Sequence, residues 1–91
     1  MTESMIQRDI MKYLQLRGFK VFKISDRFRA GIPDLYAARA GLSYWMEVKA
    51  PGGKVSKIQE YELQQLQDAG IPAHVVRSVA EVAAIVNREA K

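Results

Sequence analysis

The 91-residue sequence predicts an α/β fold, in which a mixed central sheet is flanked by helices and the elements follow the order αβββαβα. Apolar residues recur at helical spacing in three segments, which predicts three amphipathic helices. Between them lie short runs rich in β-branched and aromatic residues, separated by glycine or proline. An antiparallel meander joined through a helix to a further strand produces such a mixed sheet.

The first predicted helix covers residues 3–17 and is followed by Gly18, which suits a C-terminal cap. One face of this helix combines apolar side chains with an arginine, namely Ile6, Ile10, Tyr13, Leu14 and Arg17. Glu3 lies three and seven residues before the first two of these. The spacing therefore predicts that this acid also faces inward.

The meander is predicted from three runs that favour extended backbone. Residues 19–24 form its first strand, and residues 25–32 form a basic loop that leads to the second. Residues 34–39 and 44–50 are strand-like runs on either side of Gly41, which predicts a hairpin.

The hairpin is expected to bring three charged side chains together. Side chains alternate between the two faces of a strand, so Glu47 and Lys49 share one face with Trp45. In a hairpin with an even-numbered loop, Asp34 lies on the same face as Glu47. Two carboxylates and an amine are therefore predicted on one side of the sheet.

The second half of the chain contains two capping-box patterns. Ser56 and Gln59 open a helix that extends to about residue 69, and its predicted apolar stripe is Ile58, Tyr61, Leu66 and Ala69. Glu62 and Gln65 fall within or beside that stripe, which predicts a polar side near the core. Residues 73–77 form a fully buried strand. Ser78 and Glu81 then open a last helix that carries Val82, Ile85 and Val86.

The acidic and basic residues of the hairpin suit a hard divalent cation. Magnesium needs only one or two carboxylates, together with waters and a phosphate oxygen, so Asp34 and Glu47 suffice. Lys49 then steadies the attacking water or the transition state of phosphoryl transfer. Either motif alone is weak, because Pro-Asp is a common turn and Glu-Val-Lys occurs on many half-exposed strands. Their order and context favour a nuclease.

The run Gly31-Ile32-Pro33-Asp34-Leu35, the run from Trp45 to Gly53, and then Ser56 and Gln59 resemble the VRR-NUC branch of the PD-(D/E)xK nuclease superfamily. The resemblance covers nearly the whole chain and implies a restriction-endonuclease-like core. It further implies that Asp34 and Glu47 bind the metal and that the Val48 carbonyl adds a ligand. Lys49 is the catalytic lysine by this resemblance.

Two further site residues are implied by the same resemblance. Glu3 fills the acid position of the first helix, as a metal ligand and catalytic residue. Gln59 matches the glutamine that the family places at the start of the next helix. The expected activity is Mg²⁺-dependent hydrolysis of DNA phosphodiesters, with Mn²⁺ able to substitute and with 5′-phosphate ends. Small stand-alone members resemble Holliday junction resolvases, so the resemblance also implies a homodimer acting on branched DNA, such as four-way junctions or flaps.

The charge of the chain agrees with a polyanionic partner, since the formal net charge is +4 and the pI is near 9.6. Basic residues bracket the predicted site and are expected to contact the phosphate backbone: Lys20, Lys23, Arg27, Arg29, Lys54 and Lys57. For any single one of them, a solvated surface position is the alternative.

Composition limits the other possibilities. The length suits a single domain over residues 1–91, with one modest core. The absence of cysteine excludes disulfides and thiolate zinc sites, and no segment has the character of a signal peptide or membrane span. We therefore expect an intracellular protein, in the cytoplasm or nucleoid of a bacterial or phage-infected cell, without membrane contact.

Alternative chemistry is less well supported. His74 is the only histidine and is interpreted as an ordinary strand residue rather than a catalytic base or zinc ligand. Tyr36, Tyr44 and Trp45 are interpreted first as cross-strand packing, with stacking on unpaired bases as the alternative. Two other functions stay open: a catalytically inert DNA-binding module, and a nuclease subunit that requires a partner protein.

Overall fold

The predicted order of elements, αβββαβα, is confirmed. The computed structural model describes residues 1–24 and 29–89, with the side chain of residue 89 left out. Its elements are α1 (Glu3–Leu16), β1 (Lys20–Lys23), β2 (Leu35–Arg39), β3 (Leu42–Val48), α2 (Lys57–Asp68), β4 (Ala73–Val76) and α3 (Val79–Glu89). The third strand begins and ends two residues earlier than predicted.

The four described strands form one mixed sheet in the order β1-β2-β3-β4. The first two neighbouring pairs are antiparallel, and β3 and β4 are parallel because α2 provides the crossover. The hairpin between β2 and β3 has a two-residue loop, since Arg39 pairs with Leu42. Ala40 and Gly41 both have positive φ, as a type I′ turn requires. The even-numbered loop assumed for the hairpin is therefore correct.

One face of the sheet carries the hydrophobic core and is covered by α1 and α3. Buried side chains from both helices meet those of the strands there: Ile6, Ile10, Leu14, Leu35, Ala37, Tyr44, Met46, Val48, Val76, Val82 and Val86. Two arginines help to hold α1 in place. The Arg17 guanidinium donates to Asn87 on α3, and Arg39 lies 4.5 Å from the Phe19 ring centroid and donates to the Arg17 carbonyl.

The opposite face of the sheet is covered in part by α2. The predicted stripe of this helix is wrong: Ile58, Tyr61 and Ala69 are exposed, and Leu66 is only half-buried. The buried residues of α2 are Leu63 and Glu62, so the predicted polar side near the core is confirmed for Glu62, whereas Gln65 is exposed. The helix is rotated in this way because polar side chains on its inner side have partners on the sheet and in the preceding loop, as described below.

The predicted capping box at Ser56 and the predicted C-terminal cap at Gly18 are both present. Ser56 and Gln59 form a reciprocal capping box, and Gly18 and Gly70 follow α1 and α2 in the left-handed conformation of a Schellman motif. The fully buried strand predicted at residues 73–77 is wrong in part. Because β4 lies at the edge of the sheet, only its end residues are buried. No helix within the described residues combines the length and apolar character needed to span a membrane.

Candidate active site

Asp34 and Glu47 lie side by side on the α2 face of the sheet. The pairing of Leu35 with Met46, continued by one residue, places Asp34 opposite Glu47. Asp34 is fixed there by its own carboxylate, because Oδ2 accepts a hydrogen bond of 2.9 Å from the Val48 N–H. The Asp34 carboxylate therefore accepts from a β3 N–H to which a backbone carbonyl of the neighbouring strand would otherwise bind. The predicted co-facial arrangement of the two acids is confirmed.

Glu47 is buried, with only 1% of its surface exposed. Its Oε2 accepts a hydrogen bond of 3.1 Å from the Gln59 side-chain amide and lies 3.6 Å from the Lys49 ammonium. The other carboxylate oxygen, Oε1, is buried without a hydrogen-bond partner among the described residues. A buried carboxylate oxygen without a donor is unfavourable, so this atom is suited to a ligand that supplies positive charge.

The surroundings of Glu47 raise its pKa from 4.5 to about 7. Burial is the largest cause, because it penalises the charged form. The negative charge of Asp34 adds to the increase, whereas Lys49 opposes it. Two carboxyl groups that lie next to each other resist simultaneous ionisation, because their negative charges repel. The site therefore favours a cation over two free negative charges.

The backbone beside the two acids offers a further oxygen. Continuing the β2–β3 register places buried Pro33 opposite Val48. Proline has no N–H, so it donates no ladder hydrogen bond to the Val48 carbonyl. This carbonyl was implied as a metal ligand by the family resemblance, and its role stays a prediction.

The loop before Asp34 is held against the start of α2. Gly31 has a φ of +86°, and a Cβ added there would lie 2.7 Å from the Ile58 carbonyl oxygen. Only glycine suits that close approach combined with that backbone conformation. The loop is held a second time by Arg29, which donates two hydrogen bonds to the Glu62 carboxylate. Through that hydrogen bonding, Arg29 lowers the pKa of Glu62.

The turn that follows Lys49 is held by an arginine that the sequence analysis did not identify. The Arg77 guanidinium donates hydrogen bonds of 2.8 Å to the carbonyls of Ala50 and Gly53. The Arg77 N–H in turn bonds the Glu81 carboxylate, so β4 and α3 support this turn together. The predicted box at Ser78 is only half formed, because Glu81 bonds Arg77 rather than Ser78. No local pattern marks Arg77, because both of its carbonyl partners lie more than twenty positions earlier.

Glu3 is not brought into this site. It lies in the first turn of α1 and is exposed, so the predicted inward orientation is wrong. The buried face of α1 begins only at Ile6, on a helix that packs against the other side of the sheet. In the described part of the chain, no group of three or more Asp, Glu, His or Cys side chains is placed to hold a metal. A metal-binding role for Glu3 stays a prediction that this geometry does not support.

The predicted phosphate-contacting residues differ in position. Lys54 and Lys57 are exposed between the site and α2. Lys23 pairs with Leu35 and therefore projects toward α1, on the other side of the sheet. Arg29 is at the site but is paired with Glu62. Arg27 lies outside the described residues.

Comparisons with known proteins identify the family of this chain. The family model of the VRR-NUC domain matches residues 2–80. The chain belongs to the VRR-NUC family. Because this is a nuclease-type family, membership supports a nuclease role. No curated protein gave a significant match.

Two solved structures of VRR-NUC domains share the fold. One, described as a VRR_NUC domain, is 28% identical with a TM-score of 0.75, and the alignment covers 96% of this chain and 97% of that one. A second, described as a VRR_NUC domain protein, is 20% identical with a TM-score of 0.78 and covers 96% of this chain and 86% of that one. The predicted α/β architecture and family are therefore confirmed.

Proposed function

We propose that this VRR-NUC chain is a metal-dependent endonuclease that hydrolyses DNA phosphodiesters. The observation that carries the proposal is the pair of half-buried Asp34 and buried Glu47, with Lys49 beside it. One Glu47 carboxylate oxygen has no hydrogen-bond partner among the described residues. Two neighbouring acids, one of them buried next to an amine, have little structural value, because the arrangement costs desolvation energy and brings two negative charges together. It is suited to binding a cation and a phosphate.

The residues present fit Mg²⁺ or Mn²⁺. All the candidate ligands are oxygens: the two carboxylates and the Val48 carbonyl, which lies opposite a proline. Two acids are enough, because magnesium retains several waters and takes a further ligand from the substrate phosphate. When bound, the cation would neutralise charge that develops on the phosphate and lower the pKa of the attacking water.

The chain's own residues have separate roles in this reaction. Asp34 and Glu47 hold the negative charge that positions the cation. Lys49, with a side chain only 13% exposed, presents a positive charge to the attacking water or to the phosphate in the transition state. Gln59 fixes the orientation of Glu47 by donating to Oε2, and the capping box fixes Gln59 in turn. This makes Gln59 a positioning residue.

The proposed substrate is branched DNA, such as a four-way junction or a flap, cut by a homodimer. The support is the resemblance of small VRR-NUC chains to junction resolvases, together with the net positive charge of this chain. A domain of this size has little surface for reading a base sequence in addition to its site. Recognition of DNA shape is therefore the proposed source of specificity.

Cleavage assays test the proposal directly. Four-way-junction, flap, linear and supercoiled DNA are incubated with Mg²⁺, Mn²⁺ or EDTA. We expect metal-dependent cutting that Lys49→Ala reduces by about 100- to 1,000-fold, as for the loss of one transition-state donor. Lys12→Ala removes an exposed lysine from α1 and is the matched control. Binding without cutting in every condition would favour an inert module, and cutting only with an added protein would favour a partner-dependent subunit.

Metal binding and assembly are tested separately from activity. Mg²⁺ should raise the melting temperature of the wild type but not of Asp34→Asn, because the variant lacks one carboxylate ligand. Equal stabilisation of both proteins would place the ion elsewhere. Sedimentation at assay concentrations tests whether the protein is a homodimer. A monomer that still cuts both strands of a junction symmetrically would contradict the proposed dimer.

A further inference from the structure

Three aromatic side chains, one from each of three neighbouring strands, form a row on the α2 face of the sheet. Phe22 pairs with Tyr36 in the register of β1 and β2, and Tyr36 pairs with Trp45 in that of β2 and β3. The ring centroids are 6.3 Å apart in the first pair and 5.0 Å apart in the second. Phe22 is 46% exposed, and the other two rings are half-buried. We call these three residues the aromatic track.

The aromatic track lies directly beside the proposed catalytic pair. Tyr36 and Trp45 are two positions along their strands from Asp34 and Glu47, so their side chains share a face with the acids. Two strand residues span about 7 Å, close to the distance between neighbouring phosphates in an extended nucleic acid strand. A nucleotide adjoining the one at the acids can therefore reach Trp45.

The Trp45 end of the track opens into a cavity between the sheet, α2 and the loop before Asp34. Its volume is about 260 Å³, and it is lined by Arg29, Ile32, Pro33, Trp45, Glu62, Gln65 and Leu66. That volume is many times the roughly 30 Å³ that one water molecule occupies in the liquid. The walls are mainly apolar, and the polar groups among them are Gln65 and the ion pair of Arg29 with Glu62. An aromatic ring, apolar walls and a few polar groups are suited to a planar heterocycle.

A cation lies at the Phe22 end of the track, where the Lys20 ammonium is 5.8 Å from the ring centroid. At the other end, the Arg29 side chain is 63% exposed at the rim of the cavity and is paired with Glu62. Aromatic rings flanked by cations are the combination that binds single-stranded nucleic acid, because bases stack on rings while phosphates meet the charges.

We propose that the aromatic track binds unpaired nucleobases of the DNA strand next to the cut, with one base entering the cavity beside Trp45. This inference rests on the proposed nuclease function and deepens it, because it assigns the preference to DNA with unpaired nucleotides at the site. The rings are farther apart than the 3.4 Å rise of a stacked duplex strand, which favours an extended strand. A second copy of this protein bound to the aromatic track would also cover Asp34 and Glu47, so a protein interface is the less favoured use of this surface.

The composition of the chain supplies a direct probe, because Trp45 is its only tryptophan. The wild-type protein is titrated with single-stranded DNA, flap DNA or blunt duplex DNA, in EDTA and at one salt concentration. The fluorescence of Trp45 is excited selectively and measured at each step. We expect quenching by the first two and little by the duplex. Absence of quenching by single-stranded DNA, or equal quenching by the blunt duplex, would overturn the inference.

Variants test the rest of the track. Phe22→Leu and Tyr36→Leu should each weaken binding of single-stranded DNA by about 5- to 100-fold, the range found for loss of one stacked base. Duplex binding should change by no more than about twofold, because phosphate contacts remain. Tyr61→Leu is the matched control, since this exposed tyrosine lies on α2 away from the row. Unchanged preference in the track variants would overturn the proposal.

Two further outcomes separate this inference from its rivals. A shift from dimer to monomer in Phe22→Leu, with unchanged DNA binding, would identify the track as a protein interface and overturn it. Because binding is measured without metal, quenching by unpaired DNA in a protein that never cuts would support the track and reject the proposed nuclease function.

Discussion

The two faces of the sheet are built from the same strands but on opposite principles. The face under α1 and α3 is an apolar core to which β3 contributes Tyr44, Met46 and Val48. The face under α2 has Trp45 and Glu47 from the same strand, and Lys49 directly after it. Strand alternation thus places a core residue next to each site residue. Neighbouring substitutions on β3 should therefore affect different properties, stability on one face and function on the other.

Replacement of Asp34 should have the largest effect on the site face. Asp34→Asn should reduce cleavage by at least about 1,000-fold, because it removes a carboxylate ligand from the proposed cation. The free energy of unfolding should change by less than about 1 kcal/mol, since an asparagine oxygen can still accept from the Val48 N–H. Single-turnover cleavage and urea denaturation measure the two quantities. Asp68→Asn, at the exposed end of α2, is the control, and an active Asp34→Asn would refute the site.

On the core face, Met46→Ala should lower the free energy of unfolding by about 2 to 5 kcal/mol, because it leaves a cavity at a fully buried position. Met5→Ala removes the same side chain from a 40% exposed position on α1. It should change the free energy of unfolding by less than about 0.5 kcal/mol. Urea denaturation of both variants tests the difference. Equal losses would show that the two faces are not distinguished by packing.

Glu47→Gln should change the pH dependence of stability. Glu47 has a pKa of about 7 in the folded protein against 4.5 in the unfolded chain, so the folded state holds its proton more tightly. The contribution of Glu47 to stability is therefore largest below pH 4.5 and falls as pH rises to about 7, by roughly 3 kcal/mol. In EDTA, Glu47→Gln should lack this fall and be more stable than wild type at pH 8.

Urea denaturation from pH 4 to 8 measures this effect. Glu60→Gln, an exposed substitution on α2, should keep the wild-type slope. A wild type whose stability rises through this pH range would contradict the assigned environment of Glu47.

Gln59 connects the helix cap to the site and should show the smallest effects. Gln59→Ala removes both hydrogen bonds of the side chain and should cost about 1 kcal/mol of stability. Gln59→Glu keeps the acceptor for the Ser56 N–H but places a third acid beside Glu47. We expect it to retain more helix stability than Gln59→Ala yet raise the pKa of Glu47 further. The free energy of unfolding is measured against pH for both variants. Identical pH profiles would contradict a positioning role for Gln59.

Local patterns explain which features the sequence predicted. The order of the elements, the capping box at Ser56 and the shared face of Asp34 and Glu47 depend on strand alternation, turn length or contacts within a few residues. These rules needed no knowledge of distant partners. The same is true of Gly18, whose left-handed cap follows from the end of its own helix.

The incorrect predictions depend on distant partners. The apolar stripe of α2 was assigned from spacing, but Ile58 and Tyr61 are exposed. The inner side of the helix instead carries Glu62, which binds Arg29, thirty-three positions earlier. Glu3 follows the periodicity of α1, yet it lies one turn beyond the part of the helix that the sheet covers. Arg77, which was not predicted, follows β4 and binds the turn after the neighbouring strand β3. Spacing along the chain contains no information about such pairings.

Pro33 has a consequence for how this chain can change over time. A residue with an N–H at this position could donate a ladder hydrogen bond to the Val48 carbonyl, which proline cannot do. The same hydrogen bond would occupy an oxygen that the proposed site uses. If the Val48 carbonyl binds the proposed cation, a substitution that adds this hydrogen bond would weaken metal binding, so stability and the proposed activity place opposite demands on this residue.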